Sequence, residues 1–258
     1  MEEKQILINN LKTNYKIAGL GPVVLILHGW GGSSDSWLNV QEILVKNGYQ
    51  VIVPDFPGFG KSENPPTPWG IKEYTDFVFN FVNQLKLDQI FLLGHSFGGR
   101  IAIRFTTLYP EKVKRLILSN SAGIKAKPDL KACLIFLLVK WGNALFKKKV
   151  LVEFKDYARN FLYFFLRKRD YVKANEFMKK SMKKVIEEDL LPDLPKIKNN
   201  TLIIWGNKDK MVPVKFAKVF KEKIKNSQLI VFPNVGHSPH LETPEKLAQT
   251  ILDFLETD

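Results

Sequence analysis

A single cysteine, Cys133, stands in the whole chain, so an internal disulfide and a cysteine-based metal cluster are both excluded. Histidine is scarce as well. His28, His95, His237 and His240 are the only four, and no pair has the His-x-x-x-His spacing that places two ligands on one helix face, so no metal centre is expected. No apolar run reaches the ~18 residues of a membrane-spanning helix. Met1 to Leu20 carries Lys4, Lys12 and Lys16 without the apolar core of a signal peptide, and a cytoplasmic location is expected. Internal repeats and low-complexity linkers are missing too. Acidic residues are in deficit, 26 against 39 Lys and Arg, for a formal net charge of +13.

That surplus raises nucleic acid as a partner, but its distribution argues otherwise. Between Lys125 and Lys198 there are 19 basic and 9 acidic residues, a net of +10, which leaves +3 for the rest of the chain. Lysine supplies 33 of the 39 basic residues, and solvated helix faces take up lysine at little cost. With no recognition motif present, nucleic-acid binding is not expected. Contact between the basic segment and an anionic membrane surface is a weaker alternative. A basic rim would also favour small molecules that carry a carboxylate, through an attraction that added salt screens.

What the sequence does contain is a regular alternation. Short aliphatic runs, Val23 to Leu27, Gln50 to Val53, Ile90 to Leu93, Leu116 to Ser119, Leu202 to Trp205 and Gln228 to Phe232, read as strands buried on both faces. Between them the patterns over Asp35 to Lys46, Ile71 to Leu87, Phe97 to Tyr109, Val214 to Ile224 and Leu241 to Leu255 predict helices, the last with Thr243 as N-cap and Pro244 at its first position. Gln5 to Ile8 and Tyr15 to Ala18 predict an added edge hairpin. The expected fold class is α/β, a mostly parallel eight-stranded sheet flanked by helices. From 124 to 198 no strand pattern occurs, and eleven aromatic residues interleave with Lys and Arg. That segment reads as a helical insertion after the sixth strand, which divides the chain into 1–123, 124–198 and 199–258.

Chemistry concentrates where strands end. Gly94-His95-Ser96-Phe97-Gly98 is a G-x-S-x-G turn between a predicted strand and a predicted helix, the context in which a sharp bend pushes a serine hydroxyl out at the carboxyl edge of a sheet. Such a hydroxyl needs a base, and the base needs an orienting acid. Asp209 follows one later strand and His237 the next, in the order serine, acid, histidine. His240 competes as base but sits further into the approach to the last helix, while Asp189 and Asp193 compete as acid only if the insertion folds inward. Asn120, at the end of the sixth strand, cannot serve as the acid. The glycine run after the third strand lets backbone amides turn inward, so the amides of Trp30 and Phe97 are the expected oxyanion donors, with His28 shaping that loop. Two phosphate-loop readings fail on single residues: Ser34 stands where G-x-G-x-x-G requires its third glycine, and Asp55 where a Walker A loop requires its first.

Taken together, "HGWGGSSDSW", "PDFPGFGKS", "GHSFGGRIA", "LIIWGNKDKMVP" and "GHSPHLETPE" resemble the α/β-hydrolase superfamily across nearly the whole core. The resemblance implies a lid at 124–198 and a two-step acyl transfer to water through an acyl-enzyme on Ser96, with no cofactor. A nucleophilic serine departs from the aspartate of haloalkane dehalogenases and epoxide hydrolases. Hydrolases of meta-cleavage products, which break carbon-carbon bonds, typically carry Asn before the serine and Trp after the base, where this chain has His95 and Ser238. Proline iminopeptidases usually show G-G-S-W-G at the bend. A carboxylesterase acting on a small-molecule ester of small or medium acyl chain is the leading expectation, with a carbon-carbon bond hydrolase of the meta-cleavage-product type, or a hydrolase-fold receptor of little turnover, as the alternatives. Gly29 and His95, with Phe136, Trp141, Phe161 and Phe165 of the lid, are the expected substrate contacts.

Overall fold

The structure, a computed structural model, describes residues 1–125 and 176–256. Eight strands form one sheet: β1 (Glu2–Ile8), β2 (Leu11–Ala18), β3 (Val23–Leu27), β4 (Gln50–Pro54), β5 (Ile90–His95), β6 (Val113–Ser119), β7 (Thr201–Gly206) and β8 (Ser227–Phe232). Their spatial order is β1-β2-β4-β3-β5-β6-β7-β8. β1 and β2 pair antiparallel, as do β2 and β4, and every later pair is parallel. The edge hairpin is longer than its apolar residues indicate, because Glu2 to Lys4 and Leu11 to Asn14 pair through main-chain bonds that leave β1 largely exposed.

Why the apolar runs become central strands follows from burial on both faces. Val24, Ile26, Val51, Val53, Phe91, Leu93, Leu202 and Ile204 form one continuous core with Val40 and Leu44 of α1 (Leu38–Lys46) and with Leu247, Ala248 and Ile251 of α7 (Pro244–Glu256). The alternate residues Leu25, Leu27, Ile52, Leu92 and Leu116 are buried as well, toward the opposite face, where α2 (Ile71–Gln84) and α3 (Phe97–Leu108) pack against each other. A side chain buried at ~25 cal/mol per Å² of apolar surface leaves little room for polar substitution at either set.

The last helical pattern splits in two. Where one helix is predicted from Leu241 to Leu255, a short α6 (Pro239–Glu242) precedes α7, and Thr243 between them is out of the helical region at φ −147° and ψ 60°. Pro244 causes the break, since the residue before a proline is pushed out of the helical region. One turn of 3₁₀ helix, Ser34–Trp37, likewise precedes α1.

After β6 the chain enters the predicted insertion. Met1–Ile124 and Phe177–Asp258 form one compact unit, and Lys125–Glu176 the other. Cys133, Phe136, Trp141, Phe161 and Phe165 lie outside the described residues. α4 (Glu176–Glu187) turns Met178, Ser181, Met182 and Val185 inward. Ser181 Oγ accepts the Trp69 N–H at 3.0 Å, and buried Arg100 of α3 donates to the carbonyls of Val185 (3.1 Å) and Glu188 (2.8 Å). α5 (Lys215–Lys223) packs beside β7 and β8. Among the described residues no helix is long and apolar enough to cross a membrane.

Candidate active site

The strand order reverses direction between β3 and β5, and the loops leaving these two strands separate there, which is where open α/β sheets form crevices. Ser96 sits at the end of β5 with φ 53° and ψ −113°, a conformation that L-residues rarely adopt. Its neighbours make the bend possible. A Cβ on Gly94 would meet the Gly98 carbonyl oxygen at 2.6 Å, and one on Gly98 would meet the Leu27 carbonyl oxygen at 2.1 Å, so α3 can lie this close to β3 and β5 only with glycine at both places.

Three side chains from three strand ends meet over this bend. His237 Nε2 lies 2.9 Å from Ser96 Oγ, and His237 Nδ1 lies 2.8 Å from Asp209 Oδ2. The Asp209 carboxylate is heavily engaged: Oδ2 also accepts Asn120 Nδ2–H at 2.7 Å, and Oδ1 accepts the N–H groups of Met211 (2.8 Å) and Val212 (2.9 Å). Burial alone pushes this carboxyl up. The hydrogen bond and charge of His237, then the bonds from Asn120 and Val212, outweigh it, and the group is held below the ordinary aspartate range. An ionised Asp209 accepts Nδ1–H, which leaves the His237 Nε2 lone pair facing the serine hydroxyl.

The loop after β3 supplies the other wall. The ring of Trp30 lies edge-on to Phe97, 5.1 Å between centroids, and to Phe59 at 4.9 Å, while Phe97 also packs against Phe56 and Tyr74. Phe97 opens α3, so its N–H is one of the first-turn donors that a helix leaves without an internal partner. Trp30 and Phe97, named from the sequence as donors, are thus neighbours beside Ser96. His28 is buried: its Nε2 accepts the Phe56 N–H at 3.0 Å and its Nδ1 faces the Gly29 carbonyl at 2.8 Å, which fixes the loop.

Gly29 and His95 pack against each other. A Cβ on Gly29 would lie 2.9 Å from His95 Nδ1, and His95 Nε2 bonds to the His237 carbonyl at 2.8 Å. His240, the competing base, stacks on Trp37 at 4.3 Å and 8°, and burial pushes it down to about 3, so it stays neutral. Asp193 pairs with Arg104 and Lys196, and Asp189 accepts the Leu191 N–H; neither approaches His237 through a described bond.

Sequence reasoning missed three supporting groups. Asn120, dismissed as an acid, holds one. Asp55 accepts from Ser34 N (2.6 Å), Lys61 N (2.9 Å) and Asn14 Nδ2 (3.0 Å), tying the loop after β3 to the loop after β4. Glu242 accepts from Gly236 N (2.7 Å) and Ser238 N (3.1 Å), bracketing His237. A polar residue immediately after a central strand was the available signal for Asn120 and Asp55.

A family profile for the alpha/beta hydrolase fold matches residues 22–144 and 144–244. The 2-hydroxy-6-oxononadienedioate/2-hydroxy-6-oxononatrienedioate hydrolase 1 of Pseudomonas putida is 30% identical over 267 residues, which cover 95% of this chain and 92% of the relative. An esterase from Exiguobacterium antarcticum superposes with TM-score 0.77 at 26% identity, covering 99% of this chain and 100% of that one. A membrane phospholipase A, a bacterial virulence factor, superposes with TM-score 0.79 at 28% identity over 99% of this chain and 86% of that one.

Proposed function

The chain belongs to the alpha/beta hydrolase fold family, and from that premise we propose that it is a serine hydrolase cleaving carboxylic esters of small to medium acyl chains. The observation that carries this reading is the unbroken hydrogen-bonded line from Ser96 Oγ through His237 to Asp209, at 2.9 and 2.8 Å. In the proposed cycle Ser96 Oγ attacks the ester carbonyl carbon while His237 Nε2 takes its proton. The carbonyl oxygen becomes an oxyanion held by the Trp30 and Phe97 amides. Collapse breaks the ester C–O bond, and the His237 proton leaves with the alcohol. Water then repeats the sequence on the acyl-enzyme: His237 removes its proton, the hydroxide adds, and the acid departs as Ser96 recovers its hydrogen. Asp209 keeps the imidazole in one tautomer throughout and stabilises it when charged.

Carbon-carbon hydrolysis is the second reading, favoured by the 30% identity to the Pseudomonas putida dienedioate hydrolase. The ester is preferred because His95 precedes the serine and Ser238 follows the base. Steady-state assays decide it. We expect p-nitrophenyl butyrate to be turned over, a 2-hydroxy-6-oxo-2,4-dienoate to react far more slowly, and Ser96→Ala to lose about 10³-fold or more in kcat. Dienoate turnover exceeding ester turnover would select the second reading, and absence of turnover on both would point to a small-molecule receptor.

A further inference from the structure

All four histidines of the chain lie around the Ser96 bend, yet His95, the residue directly before the serine, takes no part in the acyl-transfer cycle. The residue is 5% exposed. Nε2 lies 2.8 Å from the main-chain carbonyl oxygen of His237, a residue 142 positions away. A carbonyl oxygen only accepts, so Nε2 carries the hydrogen and Nδ1 is bare. Nδ1 is indeed buried without a hydrogen-bond partner among the described residues, facing Gly29, where a Cβ would approach to 2.9 Å. His240 lies edge-on at 4.5 Å and is itself stacked on Trp37, so the ring packs against a second buried imidazole. Burial, with smaller effects from His240 and His237, keeps His95 well below the ordinary histidine range and therefore neutral.

The topology gives this bond its meaning. Ser96 hangs on β5 and His237 on the loop after β8, and β6 and β7 lie between those strands. No sheet ladder can register the base against the nucleophile. Asp209, Asn120 and Glu242 hold the base loop from the ends of β7 and β6 and from α6, respectively. His95 ties it to the strand that carries the serine itself.

We propose that His95 is a positioning residue: by donating Nε2–H to the His237 carbonyl, it fixes the main chain under the base and so keeps His237 Nε2 at transfer distance from Ser96 Oγ. The inference rests on the serine-hydrolase reading above. It gives the second residue of the G-x-S-x-G turn a mechanical task rather than the substrate contact expected from sequence.

Three variants and one spectrum test it. His95→Phe keeps a ring and removes the donor, and its kcat should fall about 10- to 100-fold with KM within about twofold, the scale of a small misplacement of a catalytic group. His95→Gln restores an amide donor of similar reach and should recover kcat to within about threefold of wild type. Equal kcat in the two variants, at any level, or a loss that appears in KM, would overturn the positioning role. Nitrogen-15 spectra of the wild-type enzyme give a readout that does not depend on a variant folding: His95 should show a protonated Nε2 and an unprotonated Nδ1, and the opposite tautomer would overturn the role as well. Ser96→Ala separates the two layers, because full activity in that variant removes the hydrolase reading itself, whereas an inactive Ser96→Ala beside unaffected His95→Phe removes only the positioning role.

Discussion

At the scale of single residues, the site depends on a carboxylate that burial disfavours and hydrogen bonds restore. Asp209 receives four bonds, from His237, Asn120, Met211 and Val212. A group whose folded pKa lies below its unfolded value of ~3.9 contributes stability that is complete above that value and is lost as pH falls through the folded pKa. Wild type should therefore lose Tm more steeply than Asp209→Asn as pH falls below about 4. At neutral pH the same variant should lose about 10³- to 10⁴-fold in kcat, because a neutral amide neither stabilises the imidazolium nor enforces its tautomer. Parallel Tm curves with unchanged kcat would contradict this assignment. Ser96, Asp209 and His237 were legible from the sequence because each follows an apolar run in a fixed order. Asn120 was not: its value lies in a 2.7 Å bond across 89 residues, and no local pattern records a partner brought near by the sheet. Asp55 shares that limit in its bonds to Ser34 and Asn14, whereas Glu242 holds its near neighbours Gly236 and Ser238, a local contact that apolar spacing does not mark.

At the scale of elements, the bend between β5 and α3 stores strain in one residue. Ser96 is held at φ 53° by Ser119, whose carbonyl accepts its N–H at 3.2 Å, and by the Gly99 and Ala122 N–H groups that bond to its own carbonyl at 3.1 and 3.0 Å. Such a conformation costs on the order of 1–3 kcal/mol with a side chain present, and much less in glycine. Ser96→Gly should thus be inactive yet more stable than Ser96→Ala by about 1 kcal/mol in urea denaturation, after the extra chain entropy of glycine is counted. Equal or lower stability would show that the bend is unstrained. The pattern of glycines announced this turn, since Gly94 and Gly98 leave no space for a Cβ. Element ends were less readable. β1 and β2 extend into polar residues because main-chain pairing, rather than burial, holds them, and Pro244 splits a helical pattern that apolar spacing alone runs together.

At the scale of the whole molecule, sequence and structure agree on how a sheet assembles a site from distant segments. β3, β5, β7 and β8 each end in a loop at the same edge, and those loops deliver Trp30, Ser96, Asp209 and His237 respectively. The parallel pairing β3-β5-β6-β7-β8 was implied by alternating strands and helices, because parallel strands require a crossover between them. The basic character of 125–198 was equally visible, a net of +10 within a chain of +13, but composition alone does not say which side chains meet a substrate. The most direct test of the central claim reads the intact chain by mass. After reaction with an excess of a fluorophosphonate, serine catalysis requires one covalent adduct per molecule, mapped to the peptide that contains Ser96 and lost in Ser96→Ala. An adduct on another residue, or an active enzyme that takes up no label, would contradict it.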